Sequence, residues 1–540
     1  MTLIKGIPAN GKVAVLGSGI SGLTFTYFLS KLRPDIKFDI YERTNEVGGW
    51  IKSQQLQTPT KSILLEKGPR TLRGVSDGTL LIVDILKQLQ KEDSIRVLSK
   101  DSIANKKYLS NSDHNIVQVP DSVTSGWKFL LGTNIIQPSL IWGFLKEPFI
   151  KNKTGNVDES IESFFKRRFG NSILTDSVIS AIIHGIYAGD INQLSIKSIF
   201  PSIKKLEDEH GSIIKSVLFS KKDKSKEKEL SPALSQYETL ISPNANLVNI
   251  FKSLTNFPII AMKDGLQNLP ITIYQNLFKD SNITFHFNSN ITEVNPANGV
   301  IVNGNQQNSY DHIRSTIPIK SLAKVLKTSS EVQQDLKSLE YVSIFLVNVF
   351  STKSNLIPKG KHGFGFLVPK LSSNHNDASL LGVIYDSDVE QNVKPLIDDV
   401  STVDSSDKEY NKITLMLGGH YYNKISIPSS SLNIKIVKDI LEEYLGLDLQ
   451  SKNLIIRDES NITDKTINEL NENDLLISYN LHNDCIPQYN VGYDDLKQKV
   501  LSEFNDNTKL SFGGMAFGDG VGVPDCVLNG LKDALKLKQM

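Results

Sequence analysis

Six residues near the N-terminus, Gly17-Ser18-Gly19-Ile20-Ser21-Gly22, constrain this chain more than any other stretch. They follow the apolar run Lys12-Val13-Ala14-Val15-Leu16 directly and open a helical pattern from Ile20 to about Leu32, which Pro34 ends. A Gly-x-Gly-x-x-Gly turn alone is weak evidence, but its setting between strand and helix is the one a dinucleotide requires. Gly17 permits the tight turn, Gly19 lets backbone approach a pyrophosphate, and Gly22 lets the helix pack on the strand. The helix N-terminus then offers free N–H groups and partial positive charge to the phosphates. Phe38 to Glu42 reads as the second strand, completing a βαβ unit that opens a parallel sheet.

Glu42 ends that strand, 20 residues after Gly22. A carboxylate there accepts hydrogen bonds from a ribose diol and disfavours a 2′-phosphate; the bland reading is a strand-end charge facing solvent. The paired glycine in Glu42-Arg43-Thr44-Asn45-Glu46-Val47-Gly48-Gly49-Trp50 follows closely. This pattern resembles the flavin amine oxidases and their relatives, whose loop here approaches the flavin side of FAD. Two further pieces fit one FAD domain by that resemblance. Ile291 to Val294 is similar to the adenine-side strand. Gly513-Gly514 with Ala516 and Val521-Gly522-Val523-Pro524-Asp525-Cys526 is similar to the C-terminal cofactor segment, whose helix start points at the flavin ring.

Bulk properties narrow the alternatives. At 540 residues the chain has room for two to four domains. A net charge of +1 gives no global drive toward nucleic acid. Two cysteines, Cys485 and Cys526, indicate neither a disulfide framework nor a cysteine zinc site. The nine histidines are scattered, with no HExxH and no Ser/His/Asp arrangement, so no metal is expected. No signal-peptide run precedes the first strand. The uncharged stretch Phe129–Leu145, flanked by Trp127 and containing Trp142, is too interrupted to span a bilayer. It reads equally as an interfacial segment or as a buried helix–turn pair. From about 105 to 215 the pattern is helix-rich and locally basic, with Ile161, Phe164, Phe165 and Phe169 on one face beside Lys166, Arg167 and Arg168. Lys221–Glu229 reads as a solvated charge run. A helix is expected from Gly265–Pro270, and strands at 283–294, 300–302, 340–350, 364–368, 380–385 and 413–418; the tail opens with the short run Leu510-Ser511-Phe512 and a Gly-rich stretch before a final helix from Asp525 to Lys538.

More specific runs follow in order: Glu66-Lys67-Gly68-Pro69-Arg70, Gly185-Ile186-Tyr187-Ala188-Gly189-Asp190, Leu194-Ser195, Phe200-Pro201, Gly363 to Pro369, Leu381 to Ser387, Met416-Leu417-Gly418-Gly419, and Cys485-Ile486-Pro487-Gln488-Tyr489. Together they resemble the protoporphyrinogen oxidase family, most of all its fungal mitochondrial members, from about Lys12 to the C-terminus. The resemblance implies an α/β, Rossmann-like FAD-binding domain built from separated segments (1–104, 245–325 and 506–540). It also implies a mixed α+β substrate domain (326–505) and a helical membrane-binding domain (105–215), which tilts Phe129–Leu145 toward the interface. The implied activity is six-electron oxidation of protoporphyrinogen IX to protoporphyrin IX in haem synthesis. Molecular oxygen would be the acceptor and hydrogen peroxide the by-product, at the mitochondrial inner membrane surface. A homodimer is left open.

The site residues carried over are Gly185, Phe364, Leu367, Leu380 and Met416 around the macrocycle. Around FAD they are Gly17, Ser18, Gly19, Ile20, Ser21, Gly22, Glu42, Arg43, Gly49, Trp50, Gly68, Pro69, Arg70, Thr71, Ile291, Ala516, Val521, Gly522 and Val523. No residue is assigned a proton-transfer role, because the flavin takes the hydride. The family's propionate-binding arginine is missing from Asn105-Lys106-Lys107-Tyr108; Lys107 is the candidate, against a solvated lysine pair. His184 is the histidine nearest the proposed substrate wall, against a packed or exposed ring. Two other classes compete: an amine or carotenoid oxidase of the same fold, and a flavin-free Rab escort or GDP-dissociation-inhibitor type.

Overall fold

The computed structural model describes residues 6–58, 62–111, 113–120, 138–150, 157–219, 229–370, 379–397, 410–504 and 508–538. Its first organising unit is a five-stranded parallel sheet in the order Ile283–His286, Lys37–Tyr41, Lys12–Leu16, His312–Ser315, Leu510–Phe512. Its strands come from three remote parts of the chain. Alternation explains why Lys12–Leu16 is apolar throughout. Val13 and Val15 enter one core with Phe38 and Ile40, while Ala14 and Leu16 enter another with Ile313, Leu510 and Phe512. A parallel strand covered on both faces has no solvent side to keep polar.

Helices Ile20–Leu32 and Val523–Leu537 cover the first face. They cross closely: a Cβ on Gly530 would lie 2.6 Å from Thr24 Oγ1 and 3.0 Å from the Phe25 amide nitrogen. The first helix stops where Pro34 follows, and Arg33 turns back to donate to Asp35 and to the Ile7 carbonyl. An antiparallel sheet of Ile291–Asn295, Val300–Asn303 and Gln306–Ser309 sends Val294 and Ile301 into the core on the other face.

The second unit is an eight-stranded mixed sheet. Its order is Asn453–Asp458, Asp474–Pro487, Tyr341–Ser351, Asn411–Gly419, Leu380–Ile384, Gly365–Leu367, Lys107–Ser110, Ile116–Gln118. Every residue of its central strand Tyr341–Ser351 is buried. The last two strands correct the sequence reading, which placed 105–118 in the helical region. Lys107–Ser110 pairs in parallel with Gly365–Leu367 and so covers an edge that would otherwise present unpaired backbone groups. The long strand Asp474–Pro487 also escaped the sequence reading, because Ser478, Asn480, His482, Asn483 and Asp484 interrupt its apolar alternation.

Helices Ile161–Phe169, Ser180–Tyr187, Ile196–Ile199, Pro201–His210 and Ile213–Phe219 follow in the region expected to be helical. Arg167 and Arg168 are not a surface basic patch. Arg168 is fully buried between Glu147 and Glu207, and Arg167 pairs with Glu159 at 2.6 Å and Glu207 at 2.8 Å. Glu147 also accepts from the amides of Ile213 and Ile214, which docks the segment Glu147–Phe149 on the helices. Trp127 and most of Phe129–Leu145, like the charge run 221–228, lie outside the described residues.

Candidate functional site

The glycine loop has the geometry its sequence demands. Gly17 takes φ +98, a conformation that favours glycine. A Cβ on Gly22 would lie 2.1 Å from the Gly17 carbonyl oxygen, so its absence is what seats the helix on the strand. Gly19 differs: a Cβ there would meet only the Gly49 Cα, at 3.8 Å. The protein has room for that atom, and the space in front of Gly19 is where a pyrophosphate would lie. Gly19 and Gly48 bridge in parallel, the Gly48 N–H donates to the Ser18 carbonyl at 3.0 Å, and Gly49 packs on Gly19. The two glycine clusters thus form one concave floor.

The helix after Gly19 begins without a side-chain cap, leaving first-turn N–H groups for an anion. The helix after Gly522 differs: Pro524 has no N–H, and the Asp525 carboxylate accepts from the Gly522 amide at 3.1 Å. Their first turns adjoin, since the Ser21 side chain bonds the Cys526 thiol. Burial pushes that thiol up to about 11, and Cys485 up to about 12, so neither serves as a thiolate at neutral pH.

Glu42 is more committed than its sequence position suggested. Its Oε2 accepts from the Ser18 amide at 3.0 Å and the Ser18 hydroxyl at 2.8 Å. Its Oε1 accepts from the Thr44 amide at 2.9 Å and the Thr44 hydroxyl at 3.0 Å. Burial opposes ionisation, but these four donors outweigh it and hold the carboxyl below its ordinary value. A carboxylate offers about four lone-pair sites. A ribose diol reaching Glu42 therefore replaces the two hydroxyls and keeps the two amides. Arg43 is exposed beside it, and Ile291 is half-buried at the start of its strand. Ala516 and Val523 are buried, and the Ala516 carbonyl accepts from the Tyr493 hydroxyl at 2.8 Å. Gly513 and Gly514 turn the chain after Leu510–Phe512, and Val521 and Gly522 lead into the last helix.

The residues expected around a macrocycle lie on the eight-stranded sheet and the helix Ser180–Tyr187. Gly185 is exposed, and its missing Cβ would stand 3.1 Å from both terminal methyls of Leu367. Met416 is half-buried on the sheet face that carries Leu346 and Leu381. Leu380 lies on the other face, fully buried in the core with Phe366 and Leu417, so it does not reach the cleft. Phe364 turns away too, because Gly365 at φ +131 breaks the strand's alternation; it packs by Leu98, Ala104 and Ile259. Lys107 is exposed at the start of the strand Lys107–Ser110, in register with Gly365.

Two comparisons give this arrangement its family. The model of the flavin-containing amine oxidoreductases matches residues 20–536. The protoporphyrinogen oxidase of Saccharomyces cerevisiae is 36% identical over 98% of this chain and 98% of its own. The chain belongs to the protoporphyrinogen oxidases, within the flavin-containing amine oxidoreductases. The Schizosaccharomyces pombe protoporphyrinogen oxidase is 30% identical over 98% of this chain and 99% of its own. A crystal structure from Exiguobacterium sp. 255-15 shares the fold, with TM-score 0.67 at 17% identity over 99% of this chain and all of that one. The cofactor is FAD, and the open floor at Gly19 and Gly49 with the uncapped helix start after Gly19 fits its pyrophosphate.

In this flavin oxidoreductase the run Glu66 to Arg70 joins the two units. Arg70 donates to Asp386 and, at 2.6 Å, to Thr414 Oγ1. Thr414 Oγ1 lies 2.7 Å from both Asn348 Oδ1 and Asp386 Oδ2, and Asn348 donates to the Glu66 carbonyl at 3.2 Å. Gly68 is pressed against Trp50, its would-be Cβ 2.1 Å from the Trp50 carbonyl oxygen; Pro69 and Thr71 flank Arg70 on the same loop. Trp50 stands edge-on over His482 of the opposing sheet, ring centroids 5.6 Å apart. Sequence reasoning placed Arg70 near the cofactor but missed Asp386, Thr414 and Asn348. The one available signal was a lone aspartate inside the otherwise apolar run Leu381 to Ser387. It also missed His420, which pairs with His184 behind Gly185.

Proposed function

We propose that this chain oxidises protoporphyrinogen IX to protoporphyrin IX, with oxygen as final acceptor and hydrogen peroxide as by-product. The observation that carries the reading is the match to a protoporphyrinogen oxidase over the whole length of a chain whose glycine loop leaves an open floor for FAD. Bound FAD supplies the hydride acceptor. Exposed Gly185, packed directly on Leu367, and half-buried Met416 offer a flat ring apolar surface. Arg70 and its partners hold the cofactor loop against the substrate sheet. Lys107 is the cation proposed for a propionate. Purified protein should generate porphyrin fluorescence from protoporphyrinogen IX and consume oxygen; no rate above the spontaneous background rejects this activity.

The same reading assigns a peripheral place on the mitochondrial inner membrane. Among the described residues no helix is long and apolar enough to cross a bilayer. Trp142 and Leu145 are each 61% exposed and Phe149 is 83% exposed, on neighbouring turns docked through buried Glu147. Lys146 lies over the Trp142 ring and Lys215 over Phe149, a pairing of apolar and basic groups suited to a headgroup layer. Alkaline carbonate should release much of the protein from membranes; complete retention in the pellet overturns peripheral attachment.

A further inference from the structure

Two buried imidazoles stand directly behind Gly185 and Leu367. His184 and His420 are 4% and 8% exposed, and their rings stack with centroids 5.1 Å apart. His184 Nδ1 lies 2.7 Å from the Val368 carbonyl oxygen, and the two Nε2 atoms lie 3.1 Å apart. A carbonyl only accepts, so His184 Nδ1 carries a proton. In the neutral ring Nε2 is then a lone pair, and His420 Nε2–H must donate to it. Burial keeps both rings neutral, pushing His184 down to about 4 and His420 to about 3, the latter helped by its neighbour. This fixes both tautomers and leaves His420 Nδ1 a bare lone pair, buried without a partner among the described residues. Leaving such an acceptor unmatched costs roughly 1–3 kcal/mol, which a pair of apolar rings would avoid.

The pair also connects the right elements. His184 precedes Gly185 on the helix Ser180–Tyr187, and Val368 follows Leu367. His420 directly follows the strand Asn411–Gly419, which carries Met416, and donates its amide to the Ala188 carbonyl at 2.8 Å. Gly419 packs so tightly there that a Cβ would lie 2.4 Å from the same carbonyl. The Tyr421 ring closes the cluster at 4.0 Å from His420, and Asp190, held by Lys424 at 2.7 Å, is the nearest acid.

We propose that the tautomer-locked His184–His420 pair is a positioning device for the substrate wall, fixing the packing of Gly185 on Leu367 and so the shape of the surface that places the macrocycle for hydride loss. The inference rests on the proposed porphyrinogen activity, and its test separates the two. That activity is judged on the unaltered holoenzyme by porphyrin formation. The pair is judged by comparing flavin reduction under anaerobic protoporphyrinogen IX with flavin reoxidation by oxygen, both in stopped flow.

His184→Ala and His420→Ala should slow flavin reduction about tenfold to a hundredfold, the range that a misplacement of about 1 Å produces. Reoxidation and FAD content should stay within about twofold of the unaltered enzyme. His420→Gln, whose amide can still donate to His184 Nε2, should recover most of the reduction rate. The double alanine variant should be no slower than either single one. Normal flavin reduction in the alanine variants overturns the proposal. So does an equal slowing of both half-reactions, or a glutamine variant as slow as alanine. If His184→Ala fails to retain FAD, His184→Phe takes its place under the same criteria, since its ring fills the site and makes neither hydrogen bond.

Discussion

Replacing Glu66 with glutamine should stabilise this protein above pH 7 and not below pH 5. Glu66 ends the strand Ser62–Glu66 and is buried. Its carboxyl accepts from the Ser53 hydroxyl at 2.6 Å and the Leu266 amide at 2.8 Å. Burial outweighs those donors and the attraction of Arg70 and Lys412, and lifts the group from 4.5 to about 7. The folded chain therefore holds a proton that the unfolded chain releases between these two values. The stability this contributes is complete below about pH 4.5 and is lost as pH rises through 7. At about 1.4 kcal/mol per pH unit, that window amounts to about 3 kcal/mol. Glutamine has no charge to desolvate. Its oxygen keeps the Leu266 amide, but its NH2 must turn toward Ser53, whose oxygen already accepts the Gln267 amide at 3.1 Å. That rearrangement costs about 1 kcal/mol.

The expected balance is a loss of about 1 kcal/mol below pH 4, close to zero at pH 5, and a gain of about 2 kcal/mol at pH 8. The assay is thermal unfolding of FAD-loaded protein across pH 5 to 8.5. At about 2 cal/mol/K of unfolding entropy per residue, the alkaline gain corresponds to roughly 2 °C in a chain of this size. His184 and His420 add an opposite slope at lower pH. Their lowered values favour the folded state above about 6.5, and that contribution fades as pH falls toward 4. Both proteins share that slope, so it cancels in the difference. Parallel curves at all pH values, or a larger loss at pH 8 than at pH 5, would refute the reasoning.

Gly19→Val should fold and lack flavin, because the protein leaves space at that Cβ while the cofactor does not; full FAD absorbance in the variant contradicts the loop's role. Gly22→Ala should instead lose about 1–3 kcal/mol of stability, read in denaturant unfolding, since its methyl meets a backbone oxygen. Asp386→Asn should cost about 3–5 kcal/mol in the same measurement by leaving the Arg70 charge buried and uncompensated; a change under about 1 kcal/mol would show that the pair does not join the two units. The double variant Leu145→Asp with Phe149→Asp should cut sedimentation with cardiolipin-containing vesicles severalfold while porphyrin formation in detergent persists, and unchanged sedimentation moves the membrane face elsewhere.

What the sequence disclosed follows from how far each interaction reaches along the chain. The glycine floor was legible because its determinants are local. Gly17 needs a positive φ and Gly22 needs contact with a carbonyl five residues away, and both leave marks in adjacent positions. The strands of the eight-stranded sheet were legible where one face is apolar, as in Tyr341–Ser351, and lost where polar residues find remote partners. Asn480 of Asp474–Pro487, for instance, donates to Glu459 at 2.6 Å. Arg70 and Asp386 are 316 positions apart, and His184 and His420 are 236 apart. No periodicity connects such pairs, so a single sequence shows each only as a polar residue in an apolar neighbourhood. Leu380 marks the complementary limit. Its run fits the substrate wall, but a register shift between Leu380 and Gly382 assigns the Met416 face to Leu381. One residue of slip exchanges wall for core. The tautomer chain from Val368 to His420 Nδ1 is farther still from sequence, because it depends on which atom of each ring faces which neighbour. The packing around Gly185 therefore rests on Leu367, Val368 and His420, partners that the local motif around it does not contain.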